Sequence, residues 1–341
     1  MLMKSKLKDV SFVVQSCKDL PLIEEDLGFG FVRLLVDEAE KRQAKHDIRT
    51  AEDVLVELLR NSRDAQAKNI LVATTTNQDS IKKIVVIDDG QGIPSKLHQK
   101  VFESRVTSRL YNLIEDSYGV HGRGMALYAV KARSKEAKIT ASEEGKGTAV
   151  YVEINLKDLP QRKDQSTWPK IVYRKGTYEL TQGPHNFLRT LVEFYLQHPD
   201  LTIYFGSPAE ILSTLRFLIE QGFFVQTVFE SLGEVNEAEE LRKTAEGLGL
   251  SISLRNAYRI IKGEVAPVLS IKERIGLLIE RKRSLQRPLI QSSDLERLEK
   301  KVKKILSEVG KKYFLSPLEV KVTHRGNKIN ISATLEEIDN L

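Results

Sequence analysis

Glu57, Asn61 and Asp64 are spaced i, i+4 and i+7, so a helix carrying them presents all three on one face. A carboxylate, an amide and a second carboxylate in that array could serve a hydrated metal ion and the phosphates it carries. Alone, the same residues read as an ordinary solvated face. Asp88 ends an Ile- and Val-rich stretch and is followed by Gly90 and Gly92. It could accept a hydrogen bond from the exocyclic amine of an adenine, the glycines letting the base approach the backbone. The plainer reading is an Asx turn at a strand end. Gly119-Val120-His121-Gly122-Arg123-Gly124-Met125 runs into a predicted helix, where backbone amides would face a polyphosphate at the positive helix end. His121 reads as a phosphate or lid contact, or as a simple loop histidine. The six histidines show no metal-ligand spacing. Neither a Gly-x-x-x-x-Gly-Lys-Ser/Thr phosphate loop nor a Gly-x-Ser-x-Gly elbow occurs.

These residues need a scaffold. Thr50 and Asp53 read as a capping box that starts the helix carrying Glu57, and Leu55, Leu58, Leu59 and Ser62 form its buried stripe. Residues 69–76 and 82–88 read as strands joined by the polar turn 77–80. A helix is predicted over 95–103, an irregular mobile lid over 104–121, and a helix from Met125 to about Arg133. Strands follow at 137–141 and 148–156, around Gly145-Lys146-Gly147.

Upstream, 1–21 reads as an arm with a strand at 10–15. Residues 24–45 read as an amphipathic helix burying Leu27, Phe31, Leu34, Leu35 and Ala39. Downstream come a loop at 160–169, an edge strand at 170–174, a helix at 185–198 and a strand at 201–205. Glycine-broken helices fill 208–266 and basic helices 270–312, and a hairpin pairs 318–323 with 328–333. The pattern predicts an α/β sandwich (α+β), a mixed sheet with helices on one face. The expected domains are 1–207, a helical region at 208–268, and a basic helical segment with a β-hairpin at 269–341.

Composition bounds the function. The 341 residues are 41% hydrophobic and 29% charged, as in a soluble globular protein. No apolar run reaches membrane-spanning length, so no membrane association is expected. The single cysteine, Cys17, fits a reducing, cytoplasmic setting. A net charge of +6 permits a polyanionic partner without demanding one.

Taken in order, Glu57-x-x-x-Asn61-x-x-Asp64-Ala65, Asp88-x-Gly90-x-Gly92, Gly119-x-x-Gly122-x-Gly124 and Gly147-Thr148 resemble the four boxes of the GHKL ATPases. These include gyrase, the ninety-kilodalton heat-shock chaperone, histidine kinases and MutL. The stretches around Asn61 and from Val101 to Gly124 look most like the topoisomerase VI B subunit and MutL. The helices at 208–266 could match the helix-two-turns-helix insert of that subunit. The resemblance implies a Bergerat-type mixed sheet with a helical layer, and ATP with Mg²⁺ as cofactors. It implies that Glu57 polarises the attacking water and that Asn61 holds Mg²⁺. Asp64, Ala65, Asp88, Gly90, Gly92, Ile93 and Thr148 would line or support the nucleotide site, with Asp88 on the adenine. Gly119, His121, Gly122, Arg123, Gly124 and Met125 would wrap the phosphates. The implied activity is ATP hydrolysis gating a clamp or switch, in a homodimer or with a partner subunit, with DNA as a candidate partner. The competing expectation is a regulatory ATP-binding protein or kinase, like a histidine kinase or anti-sigma factor.

Overall fold

The computed structural model describes residues 23–35, 38–108, 114–116, 119–121, 124–174, 176–286, 292–325 and 328–337. The chain forms two units, Met1–Glu273 and Arg274–Leu341. The strand expected at 10–15 lies outside the described residues.

The first unit opens on a hairpin where a helix is predicted. β1 (Ile23–Gly28) pairs antiparallel with β2 (Phe31–Leu34) through Phe29 and Gly30. Both turn residues have positive φ, 55° and 78°, which suits a two-residue hairpin turn. The apolar spacing of Leu27, Phe31 and Leu34 mimics a helix, but the glycines on either side of Phe29 let the chain reverse instead. Among the described residues of this stretch only Glu38–Asp47 (α1) is helical, and Leu35 is exposed.

α2 (Ala51–Asp64) follows, started by the expected capping box between Thr50 and Asp53. Such a cap stabilises a helix by about 1 kcal/mol. β3 (Asn69–Thr76) and β4 (Ile81–Asp88) form an antiparallel pair. In place of the helix expected at 95–103 there are two 3-10 turns, Ser95–Leu97 and Lys100–Phe102. They bury Leu97, Val101 and Phe102. The stretch expected to be irregular contains β5 (Val106–Thr107), paired with β2. Beyond it β6 (Ile114–Asp116) pairs with β7 (Gly119–His121). Then come α3 (Ala126–Arg133), β8 (Glu136–Ser142) and β9 (Thr148–Asn155). A hairpin of β10 (Lys170–Arg174) and β11 (Thr177–Gln182) precedes α4 (Phe187–Gln197) and β12 (Thr202–Gly206). The helices α5 (Pro208–Glu220), α6 (Ala238–Gly247) and α7 (Leu254–Ile261) complete this part of the chain.

The central sheet is mixed, in the order β12-β3-β4-β9-β8, with β12 parallel to β3 and the other pairs antiparallel. Its two faces separate by the period of two. Leu71, Ala73, Val85, Ile87, Ala149 and Tyr151 pack against α5, α6 and α7, through Ile211, Leu215, Leu241 and Ala257 among others. Ile70, Val72, Ile84 and Val86 face the other way, toward the layer of α2 and α4. The expectation of helices on one face alone is therefore corrected. The apolar runs in β3 and β4 carry no polar alternation because both faces are covered.

The second unit holds α8 (Ile271–Gln286), which starts just before it, then α9 (Ser292–Gly310) and a hairpin of β13 (Leu315–Arg325) and β14 (Lys328–Glu337). Among the described residues no helix is long and apolar enough to cross a membrane.

Candidate functional site

α2 fixes the site through its two faces. Leu55, Leu58, Leu59 and Ser62 are buried, which leaves Glu57, Asn61 and Asp64 to face a cleft of about 500 Å³. Ala65, Gly92, Ile93 and Gly124 also line this cleft. Arg60, itself buried, forms an ion pair with Glu57 at 2.5 Å, and Arg63 holds Asp64 at 2.8 Å. The side-chain Nδ2 of Asn61 is buried without a hydrogen-bond partner.

Asp88 does not line the cleft. It is buried at the end of β4, on the α2 side of the sheet. Ser62 Oγ donates to its Oδ2 at 2.7 Å, and the Gly90 N–H donates to Oδ1 at 2.9 Å. Burial pushes this carboxyl up to about 6, against the opposing pull of Ser62 and Gly90. A carboxylate has about four lone-pair sites, so acceptor capacity remains for another donor. Thr148 stands directly opposite Asp88 in the β4–β9 ladder and is buried. Gly90 and Thr148 lie, like Asp88, behind the cleft lining.

The loop after β4 is clamped between two neighbours. The Gln91 N–H donates to the Ala65 carbonyl at 2.8 Å, and the Gly147 N–H donates to Gly90 O at 2.9 Å. Gly92 has a φ of +68°, and a Cβ there would lie 1.8 Å from the Glu143 carbonyl oxygen. Packing of turn on turn therefore requires this glycine, whatever ligand the cleft takes. Ser142 ties the assembly together. It accepts from the Ile93 N–H at 2.7 Å and donates to Gly147 O at 2.9 Å. Its one proton is then spent, so Thr148 Oγ1 donates to it at 3.1 Å.

Of the glycine segment, Gly119 and His121 lie on β7 and not in a helix-capping loop. Gly122 and Arg123 lie outside the described residues. Gly124 lines the cleft, and Met125 is the N-cap of α3 without a side-chain cap. A Cβ on Gly124 would sit 2.8 Å from the Val106 carbonyl oxygen, which pins this glycine to β5.

Several residues at the site have no counterpart in the sequence reading. Phe29 and Phe31 from the first hairpin, with Val101 and Val106, give the cleft an apolar wall. The signal was the Phe29-Gly30-Phe31 turn, hidden by the helical spacing around it. Ser62 is expected only as part of a buried stripe, and Ser142 lies just past the strand expected at 137–141. Their hydroxyl roles appear only once β4, β8 and β9 are adjacent.

Residues 48–178 match the family model described as histidine kinase-, DNA gyrase B-, and HSP90-like ATPase. Residues 48–178, less than half of the chain, are thus similar to the GHKL ATPase domain. The DNA mismatch repair protein MutL of Clostridium beijerinckii is 34% identical over 120 residues, covering 35% of this chain and 18% of that protein. MutL of Clostridium perfringens is 31% identical over 199 residues, covering 53% of this chain and 29% of that protein. The chain thus spans under a third of the length of these two relatives. Among solved structures, the N-terminal domain of a DNA repair protein aligns at 19% identity with a TM-score of 0.26. That alignment covers 36% of this chain and 41% of that one. The mycobacterial sensor histidine kinase MprB aligns at 16% identity and a TM-score of 0.21, over 36% of this chain and 74% of that one. The GHKL match takes in α2, the β4 loop, Gly124 and the β8–β9 turn, so it contains the described cleft almost entirely.

Proposed function

We propose that this chain binds ATP with Mg²⁺ in the α2 cleft and hydrolyses it, the nucleotide state gating a clamp or switch. One observation carries the reading. A single helix turns Glu57, Asn61 and Asp64 toward a cleft that Gly92, Ile93 and Gly124 also line, while its Ser62 holds the buried Asp88 that stands opposite Thr148. Asp88 would accept a hydrogen bond from the adenine amine, supported by Thr148, and Gly124, which lines the cleft, would meet the phosphates with Met125 at the start of α3. The metal fits the orphaned amide of Asn61. Turned about its last bond, that amide sets Oδ1 where Nδ2 now lacks a partner, and oxygen is the donor magnesium prefers. Magnesium, when bound, neutralises charge on the phosphate oxygens. Glu57 takes the proton of the attacking water, exchanging Arg60 for it.

The Glu57–Arg60 ion pair also favours a second reading, a regulatory nucleotide-binding module of histidine-kinase or anti-sigma type that holds ATP with little turnover. Hydrolysis and nucleotide binding measured in parallel separate the two. Glu57→Ala is expected to bind but to lose turnover by about 10²-fold or more. Asn61→Ala is expected to lose Mg²⁺-dependent binding. Unchanged turnover in Glu57→Ala would remove it as the base. Binding without hydrolysis by the unaltered chain would favour the second reading.

A clamp calls for a polymer, and DNA is the candidate, on the strength of Lys300, Lys301, Lys303 and Lys304 exposed on α9. Binding of this kind weakens steeply with added salt. A flat salt response would end the DNA part of the proposal.

A further inference from the structure

Among the described residues, the hairpin of the second unit has one guarded edge and one open edge. On the β13 side, the Val322 N–H donates to Glu299 Oε1 of α9 at 2.8 Å, and Pro317 has no N–H to offer. An N–H directed at Glu299 points away from β14. In an antiparallel pair, opposite residues direct their N–H and C=O groups either both toward each other or both away. Val322 stands opposite Ile331, so Ile331 presents its N–H and C=O to the outer side of β14. By the period of two, Ile329 and Ala333 do the same. The two strands form a two-stranded sheet, and β14 is a 10-residue edge without proline. Such an edge is a template for another strand.

The odd-numbered residues of β14 also carry its apolar side chains. Ile329, Ile331 and Leu335 are 44%, 52% and 43% exposed, on the face where Val322 opposite Ile331 is buried. On this face the hairpin is covered at Val322 of β13 and bare along β14.

We propose that β14 pairs antiparallel with β14 of a second copy of this chain, about a two-fold axis at Ser332. The sequence of the strand is complementary to itself in that register. Ile329 meets Leu335 of the second copy, Ile331 meets Ala333, Asn330 meets Thr334, and Ser332 meets itself. Position 328, a lysine, falls opposite Glu336 at each end. Moving the axis to Ala333 would instead set Ile329 against Glu337 and Asn330 against Glu336. The result is a four-stranded sheet with one continuous apolar face, where a lone hairpin is marginal. The pairing lies outside residues 48–178, goes beyond the nucleotide reading and does not depend on it.

The test is the mass in solution of the full chain without nucleotide, followed through dilution by sedimentation. The expected species has twice the chain mass of 38.7 kDa. Ile331→Lys places a charge on the apolar seam, and Ala333→Pro removes an outward N–H that the hairpin itself does not use. Each is expected to weaken self-association about tenfold or more while leaving nucleotide binding unchanged. Ser332→Cys in a Cys17→Ser background gives a second readout. The Ser332 pair is non-hydrogen-bonded, with Cα atoms about 4.5 Å apart, within disulfide range. Mild oxidation is expected to link two chains through position 332, but not through Asn330→Cys, which faces Thr334. A monomer at every concentration would overturn the proposal. So would a dimer that forms only with a non-hydrolysable nucleotide, or one that both substitutions leave intact and Ser332→Cys fails to link.

Discussion

Ser62 Oγ donates to Asp88 Oδ2 at 2.7 Å, joining the helix that carries Glu57 and Asn61 to the strand whose following loop lines the cleft through Gly92 and Ile93. Burial raises the Asp88 carboxyl from 3.8 to about 6, so the folded chain holds its proton more tightly than the unfolded chain does. The stability from this group is fully present below about pH 4 and is lost as the pH rises through 6. Being ionised at neutral pH costs the free protein about 3 kcal/mol by that shift. A ligand amine needs the ionised form as its acceptor. Nucleotide affinity is therefore expected to fall as the pH drops below 6. Asp88→Asn is expected to bind weakly at every pH while melting higher than the parent at pH 7 without nucleotide. Calorimetric titration from pH 5 to 8 and melting curves check this. A pH-independent affinity in the parent would exclude Asp88 as the acceptor.

Ser62→Ala follows from the same contact. It removes a short donor to the carboxylate and one of the groups that hold its orientation, beside the backbones of Gly90 and Thr148. A hydrogen bond to a charged group contributes about 1.5–3 kcal/mol, so nucleotide affinity at pH 7 is expected to fall about tenfold or more. The Asp88 titration, followed by carboxyl NMR, is expected to move further upward, because Ser62 now pulls it down. An unchanged titration would mean that Ser62 serves only to pack.

The α2 face was legible because a capping box, an apolar stripe and a polar triad at helical spacing all agree on one element. The strands β3, β4 and β9 were legible from their β-branched runs, and the last hairpin from its turn. The first hairpin was not. Leu27, Phe31 and Leu34 satisfy helical periodicity, and it is the turn at Phe29-Gly30 together with the pairing of β2 with the distant β5 that decides against a helix. The helices on the second face were legible as helices but not as its cover, since most of their partners on the sheet, from Leu71 to Tyr151, lie 60 or more residues before them in sequence. The clamp on Gly92 was equally hidden, because it depends on the Glu143 carbonyl brought alongside by β8 and β9.

That clamp separates two glycines of similar backbone. Gly92 and Gly145 have φ of +68° and +76°, yet a Cβ on Gly145 meets nothing within 4 Å, while one on Gly92 runs into Glu143 O. Gly145→Ala is expected to cost about 1–2 kcal/mol, the left-handed penalty alone. Gly92→Ala carries that penalty and must also push the 143–147 turn away, so its melting temperature is expected to fall further. It is also expected to weaken nucleotide binding, since the same turn carries Gly147 and the Ser142–Thr148 contact. Equal melting temperatures for the two variants would show that the turns separate freely.

Lys82 provides a test of the scaffold apart from the site. It is a buried cation on β4, with Nζ 4.2 Å from the Phe187 ring centroid, and burial lowers its ammonium from 10.5 to about 8 despite the attraction of Glu52. The folded chain gives up this proton more readily than the unfolded chain does. The stability tied to Lys82 is therefore present above about pH 10.5 and lost as the pH falls through 8. At pH 7 the charged form costs about 3 kcal/mol by that shift, and losing the ring contact offsets roughly 1 kcal/mol of any gain from removing it. Lys82→Met keeps the length and removes the charge, so the variant is expected to unfold at higher denaturant at pH 7 than the parent. The difference is expected to shrink toward zero near pH 10, where the parent lysine is largely neutral in the folded chain. Glu52 moderates the gain: its Oε2 is buried without a hydrogen-bond partner and loses a nearby positive charge. A variant less stable than the parent at pH 7 would mean that Glu52 needs this cation more than the core resists it.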